Sequence, residues 1–326
     1  MTQTAQAARP ARPAILRRLH AALRDRMPDA WVVRRNYYHR FGFYPDLRRP
    51  RLLSEKINWL KLHGVTPLHV RCADKIAVRS WVADRVGEQY LVRAILITRD
   101  AAELRPDTIP DRQFVAKANN DTGSAILCHD RDRFDWADCR RRMQHAMERE
   151  FWRVQREMQY RDIPPGVIVE EMLHPDDPAL GLTDFKLHCF HGEPAFVELQ
   201  LRPQGGLFSA LYTLDWQRFP HRLMAEASNS VEYPDEHPRP HRLDEMIALA
   251  RRLSEPFPLC RVDLYETGSR LWFGELTFTP SAGLERFEPF DPPPGQDPAA
   301  LDAHYASLLD MARTRSQLAA LRAMPG

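Results

Sequence analysis

Long apolar runs are missing from this 326-residue chain, and none approaches the ~20 residues that cross a bilayer. Charge of one sign is missing too: 46 Lys and Arg stand against 44 Asp and Glu, a formal net of +2. That balance argues against nucleic acid as a partner. Cysteine is sparse and unpatterned. Cys72, Cys128, Cys139, Cys189 and Cys260 show no C-x-x-C spacing, which suits reduced core thiols in a cytoplasmic protein. The arginines near the N-terminus surround no uninterrupted apolar core, so a secretory signal is not expected. What remains is a chain long enough for about two domains of ~150 residues, with a sizeable core.

The most informative stretch is residues 261–283, RVDLYETGSRLWFGELTFTPSAG. Val262, Leu264, Leu271, Trp272 and Phe273 are strand formers on either side of Thr267-Gly268-Ser269, so the stretch reads as a hairpin. Period-2 alternation puts Arg261 and Asp263 on one face of the first strand, and Glu275 and Thr277 on one face of the second. Folding about the turn brings Glu275 within about one residue of the position opposite Asp263. Close carboxylates repel unless a cation lies between them, and hard oxygen ligands favour Mg²⁺ shared with substrate phosphates. The bland alternative is a surface hairpin in which Arg261 pairs with Asp263 or Glu275. The apolar residues between them point instead to a buried sheet.

A second signal lies at residues 114–124, a short strand carrying Lys117 and then the small polar loop Asn119-Asn120-Asp121-Thr122-Gly123-Ser124. Such a loop can fold over phosphates, with backbone N–H groups and the lysine as a point charge. It is not a P-loop, because no Gly-Lys-Ser/Thr follows, and an ordinary hairpin turn remains the competing reading. Residues 74–82 look like the first turns of a helix ending near Gly87. Residues 167–173 form an apolar strand that stops at Glu170-Glu171, and residues 184–190 form another, with Asp184 and Lys186 on one face.

The order of these features resembles the ATP-grasp superfamily. Leu53-Ser54-Glu55-Lys56-Ile57-Asn58-Trp59-Leu60-Lys61, Ala73-Asp74-Lys75, residues 184–192 (DFKLHCFHG) and residues 273–278 (FGELTF) resemble its TupA-like branch in particular. The resemblance covers about residues 37–291. It implies an α+β, ATP-grasp fold, two α/β lobes with ATP sandwiched between antiparallel sheets. The expected divisions are a basic tail and helix at 1–30 and an N-terminal helical and α/β region at 31–108. A small lobe at 109–169 and a large lobe at 170–326, holding the hairpin and a C-terminal helix, follow.

By the same resemblance, Lys75 and Lys117 reach the ATP phosphates beneath the loop that holds Asn119, Gly123 and Ser124. Glu170 meets the adenine amino group, the backbone from Glu171 to Leu173 lines the adenine slot, and Asp184 holds the ribose. Asp263, Glu275 and Thr277 are the implied Mg²⁺ ligands, and Arg261 stabilises the transferred phosphoryl group. Lys186 is either the ion-pair partner of Asp184 or a catalytic cation beside the γ-phosphate. Positioning and charge neutralisation are what phosphoryl transfer needs. The implied chemistry is carboxylate–amine ligation through an acyl-phosphate. In the TupA-like setting the substrates would be an acidic polysaccharide or glycan precursor and an amino-acid or other amine co-substrate.

Two departures stand out. Thr277 occupies a position where many superfamily members carry a metal-binding asparagine. The front of the chain reads as helical and arginine-rich, without the α/β domain that usually holds the carboxylate substrate. Residues 14–27 read as a basic amphipathic helix that packs on the domain or, alternatively, makes a peripheral contact with an anionic membrane. Residues 31–51 interleave Tyr, Phe and Arg, readable as an acidic-sugar platform or as a packed amphipathic segment. Trp136, Trp152 and Trp216 read as core, residues 134–161 as charged helix, and residues 297–324 as a terminal helix. Glu198, Gln200 and Arg202 alternate on one strand, their face undetermined. Two other functions remain open: a glycosyltransferase using Asp130-Arg131-Asp132 as a D-x-D metal site, and a non-catalytic glycan-binding protein on an ATP-grasp scaffold.

Overall fold

The computed structural model describes residues 26–202, 206–225, 230–232, 236–290, 297 and 299–324. The helix expected at residues 14–27, and with it the membrane contact, lies almost wholly outside the described residues. Among those described, no helix is long and apolar enough to cross a membrane.

Four helices open the fold: α1 (Asp29–Phe41), α2 (Leu53–His63), α3 (Pro67–Ala73) and α4 (Val78–Arg85). Pro67 starts α3 where its missing N–H costs nothing. The helix expected to begin at Asp74 instead begins at Val78. Asp74 ends α3, and its carboxylate accepts from the Ile76 N–H (2.8 Å) and the Asn119 side-chain amide (2.8 Å). A short polar side chain that bonds its own backbone two residues on favours a turn over a helix interior.

Strands β1 (Ala94–Thr98), β2 (Phe114–Ala118), β3 (Ile126–Cys128) and β4 (Val167–Glu171) form an antiparallel sheet in the order β1-β4-β2-β3. Phe114, Ala116, Val167 and Val169 alternate onto one face. They pack there against Cys139, Met143 and Met147 of α5 (Trp136–Glu148). The sheet draws in β1, which precedes the expected lobe boundary at 109. A single-turn helix, α6 (Trp152–Gln155), follows α5. Residues 134–161 are not all solvated: the side chain of Arg156 is 1% exposed and pairs with Asp29 at 2.8 Å.

A six-stranded sheet holds β5 (Asp184–Phe190), β6 (Glu193–Leu201), β7 (Leu207–Tyr212), β9 (Ser230–Glu232), β10 (Leu259–Thr267) and β11 (Arg270–Thr277). Its order is β11-β10-β5-β6-β7-β9, antiparallel except for the β7–β9 pair. Strands β8 (His221–Ala225) and β12 (Glu285–Pro289) pair beside it. Helix α7 (Leu243–Ser254) buries Leu243, Met246, Leu249, Ala250 and Leu253 at helical spacing and packs on β5, β6 and β10. The face it covers carries Phe185, Leu187, Cys189, Val262 and Leu264, all within the larger core. The expected terminal helix is two helices, α8 (Ala300–Ala306) and α9 (Met311–Ala323), the second capped by the Asp310 side chain on the Arg313 N–H.

The four-stranded and six-stranded sheets therefore each have their own hydrophobic core, and the β8–β12 pair shares the larger one. Their polar faces are turned toward one cleft. All five cysteines are buried thiols.

Candidate active site between the two sheets

The 261–283 hairpin forms with a two-residue turn, Gly268-Ser269, both at positive φ (54° and 65°), the geometry that matches strand twist. Glu275 lies directly opposite Asp263, and Thr277 opposite Arg261. A bulge follows at Asp263/Leu264. Gly274 makes room for it: a Cβ there would lie 2.9 Å from the Asp263 carbonyl oxygen and 3.0 Å from the Tyr265 ring.

Sheet order turns this pair into a row. Glu198 on β6 pairs with Lys186 on β5, Lys186 with Asp263 on β10, and Asp263 with Glu275 on β11. The next row holds Phe196, His188, Arg261 and Thr277. Directly opposed residues share a face, so alternating acids and bases line one side of the sheet.

Within the row Lys186 Nζ lies 2.5 Å from Asp263 Oδ2 and 2.6 Å from Asp184 Oδ2. Arg261 donates from Nε and Nη2 to the two oxygens of Asp263 (2.7 and 2.8 Å), with Glu275 Oε1 at 3.4 Å and Thr277 Oγ1 at 3.2 Å. Burial opposes the charge of Asp263, but Arg261 and Lys186 outweigh it and hold the carboxyl down at about 2. Burial pushes Asp184 the other way, to about 6, helped by Asp263 and opposed by Lys186. Asp184 Oδ1 is buried without a hydrogen-bond partner among the described residues. Deeper in, His188 Nε2 is 3.1 Å from Glu198 Oε2, and Gln200 donates to Glu198 Oε1 at 2.7 Å. The face that β6 presents is thus settled: Glu198 is buried against β5 while Arg202 reaches the cleft.

The smaller sheet supplies the opposite wall. Lys117 Nζ donates to Glu170 Oε2 (2.7 Å) and Arg79 Nη1 to Glu170 Oε1 (3.0 Å), so both oxygens of this acid are held by cations. Lys75 donates to the Asp121 carbonyl, which ties α4's leading turn to the polar loop. Burial lowers the pKa of Lys75. The enclosed space is about 300 Å³, at the small end of ligand sites.

The cleft brings together Lys75, Lys117, Gly123, Ser124, Glu170, Asp184, Lys186, Asp263 and Glu275 from two sheets and a helix turn. Arg261 and Thr277 stand one row behind it. Three further expected residues do not line it either. The Glu171 side chain turns away to pair with Arg93 (2.9 Å), because alternation sends adjacent residues to opposite faces, and its backbone N–H, expected along the adenine slot, donates to the Arg93 carbonyl (3.1 Å). Leu173 lies past the end of β4. Asn119 is fully buried, donating to Asp74 and the Pro164 carbonyl and accepting from the Gly166 N–H (2.7 Å). It is a tie between the helix turn and the small sheet. Arg79, Tyr265 and Gly274 line the cleft without having been singled out. Tyr265 was within reach of the period-2 argument, and Gly274 within reach of the rule that glycine inside a strand marks a bulge.

Asp130 and Asp132 do not line the cleft. Asp130 caps its own short turn on the Asp132 N–H and faces Arg112 at 3.6 Å.

A model of the TupA-like ATP-grasp family matches residues 55–292. The chain belongs to the TupA-like ATP-grasp family. Its fold is accordingly ATP-grasp. Among solved structures it is similar to D-alanine–D-alanine ligase from Bacillus anthracis complexed with ATP. The identity is 12% over 82% of this chain and 73% of that one, at TM-score 0.40. The Helicobacter pylori D-alanine–D-alanine ligase matches at 9% identity over 83% and 69%, TM-score 0.39. The ATP-grasp ligase PsnB, complexed with minimal precursor, Mg and ADP, matches at 12% over 80% and 67%, TM-score 0.37. No curated protein matches the chain.

The donor set fits Mg²⁺ as an ion shared with phosphates. Asp263 and Glu275 offer directly opposed carboxylates, and no third His, Cys, Asp or Glu completes a metal cage among the described residues. One or two carboxylates plus substrate oxygens is how Mg²⁺ is commonly held.

Proposed function

We propose that this protein is an ATP-dependent carboxylate–amine ligase that works through an acyl-phosphate and joins an amino acid to a cell-surface polysaccharide or its precursor. The observation that carries this reading is the row Glu198–Lys186–Asp263–Glu275, with Arg261 behind it and Lys75 and Lys117 across the cleft. Four cations, three lysines and one arginine, thus stand around one pair of carboxylates.

ATP would enter with its phosphates under Gly123 and Ser124 and its ribose beside Asp184, whose unpartnered Oδ1 can accept a hydroxyl hydrogen bond. Asp263 and Glu275 would hold Mg²⁺, which when bound screens the phosphate charge. Lys75 and Lys117 neutralise phosphate oxygens from the opposite wall. To meet a nucleotide, Lys117 and Arg79 must loosen their hold on Glu170, which would then turn to the adenine amino group. Arg261 is fixed by Asp263 from the row behind and would supply a planar donor fork for the transferred phosphoryl group. Lys186 lowers the negative charge beside it. The attacking carboxylate and amine would approach from the Arg261 side.

Calorimetry tests the reading. ATP binding is expected to require Mg²⁺ in the wild type and to weaken at least tenfold in Lys117→Ala and Glu275→Ala, about 1.4 kcal/mol or more. ADP release is then expected on adding an amino acid together with an acidic glycan. A wild type that ignores ATP with Mg²⁺ present refutes the reading. ATP binding without ADP release across such acceptors favours a non-catalytic scaffold.

A further inference from the structure

We propose that the outward face of α1 and the loop after it, residues 31–51, docks this protein on an anionic lipid surface. None of these residues lines the nucleotide cleft, and the proposal stands apart from the ligase reading.

Helical spacing sorts α1 into two faces. Val32, Val33 and Tyr37 are fully buried, and the Tyr37 hydroxyl meets Ser54 Oγ at 2.9 Å. Asn36 donates to the Val154 carbonyl (3.3 Å) and to Gln155 Oε1 (2.9 Å), and Arg40 donates to the Leu284 and Met224 carbonyls (3.0 and 2.8 Å). These bonds pin the helix to the body, so its other face is carried on a fixed element. That face holds Trp31, Arg34, Arg35 and Tyr38, all exposed, at i, i+3, i+4 and i+7, which spans about 10 Å along the axis. Gly42 then ends the helix at a φ of 81° and turns the chain back. Tyr44 thereby stacks on Tyr38, ring centroids 4.7 Å apart, and the Arg34 guanidinium lies over Tyr44 at 5.5 Å.

Exposure and charge mark this face out. Among the described residues the exposed large aromatic side chains are Trp31 (47%), Tyr38 (43%), Phe43 (42%) and Tyr44 (59%), all from this one stretch. Single exposed apolar residues are ordinary, whereas a contiguous group of them marks an interaction site. Arg34, Arg35, Arg48, Arg49 and Arg51 are exposed beside the rings, and none has an acid within ion-pair distance among the described residues. Asp46 is the one acid in residues 31–51, and its Oδ1 accepts from the Arg48 and Arg49 backbone N–H groups (3.0 Å each). The partner is therefore anionic.

The aromatic arrangement selects a bilayer among anionic partners. Tyr44 is engaged by both Tyr38 and Arg34, so its ring is not an open platform for a nucleobase or a sugar. Nor do these rings line the groove of about 1040 Å³ under α2 and α9, where a small ligand could be enclosed. The surface instead offers an exposed indole, phenol hydroxyls and guanidinium groups side by side. Such rings sit at the headgroup level of a bilayer with their apolar bodies toward the acyl chains and their polar tips wet, while arginines meet the phosphates. The sequence leading into α1 has the same chemistry, Ile15, Leu16, Leu19 and Leu23 alternating with Arg17, Arg18 and Arg24.

Cosedimentation of the full chain with vesicles tests the proposal, using phosphatidylcholine alone and phosphatidylcholine mixed with phosphatidylglycerol. The wild type is expected to bind the anionic vesicles at least about tenfold better than the neutral ones, and more weakly as salt rises. Trp31→Ser/Tyr38→Ser/Tyr44→Ser is expected to lose about tenfold in binding with unchanged circular dichroism. Leu127→Ser, which removes an exposed apolar side chain from β3, is expected to bind like the wild type. Lipids brominated on the acyl chains should quench tryptophan fluorescence in the wild type and not in Trp31→Phe, a signal that a purely electrostatic contact would not give. Four results would each overturn the proposal: no binding to anionic vesicles, full binding by the triple variant, quenching that persists in Trp31→Phe, or tighter binding of a single-stranded oligonucleotide that the triple variant loses.

Discussion

Replacing Lys186 with methionine keeps the side-chain length and removes the charge between Asp184 and Asp263. Asp263 retains both bonds from Arg261, whereas Asp184 loses the one cation within ion-pair distance among the described residues. Asp184 already stands at about 6 rather than the usual 3.8, so in the wild type its burial costs about 3 kcal/mol at neutral pH. In Lys186→Met the cheapest response is for Asp184 to take a proton. Against an unfolded pKa of 3.8, holding it neutral at pH 7.5 costs about 5 kcal/mol. The Asp184 contribution to the penalty is the difference, about 2 kcal/mol. At pH 5 Asp184 is protonated in both proteins and this contribution vanishes. The sign follows from a folded pKa raised above the unfolded one: stability present below about pH 4 is lost as pH rises toward 6 and beyond. Urea denaturation at pH 7.5 and at pH 5, followed by circular dichroism, should show the variant's penalty shrinking by about 2 kcal/mol at the lower pH. A penalty that is the same at both values refutes the reasoning. Asp184→Asn/Lys186→Met, which has no carboxyl to protonate, should lose this pH dependence.

Gly274→Ala should lower stability by about 1–3 kcal/mol, since the new Cβ meets the Asp263 carbonyl oxygen rather than a flexible side chain. It should also weaken Mg²⁺-dependent ATP binding in calorimetry, because relieving the contact moves Asp263 away from Glu275. Asn119→Ala should cost about 2–4 kcal/mol in urea denaturation, because it leaves the buried Gly166 N–H without its acceptor. Asp130→Ala should leave ATP affinity unchanged; loss of nucleotide binding there would return the D-x-D motif to consideration.

Legibility followed locality. The hairpin could be read because a two-residue turn and period-2 alternation are properties of neighbouring residues, and these alone place Asp263 opposite Glu275. Lys117 and Glu170 were visible as charges on apolar strands, but the pairing of Glu170 with Arg79 was not. It joins α4 to a strand 91 residues later. Asn119 looked like one more polar loop residue, and only its burial between Asp74 and Gly166 distinguishes it.

By itself the sequence determined which side chains share a strand face, where the turns fall and which motifs stand in what order, because backbone geometry imposes those on any chain with this pattern. Tertiary structure decided the rest. It placed β5 between β6 and β10, making Lys186 the cation between Asp184 and Asp263, and it drew residues 94–98 into the small sheet. It set α5 against the polar loop. Those outcomes depend on which distant surfaces lose water together, and the cations that share the burial separate a pKa near 2 at Asp263, held by Arg261 and Lys186, from one near 6 at Asp184, where burial prevails over Lys186.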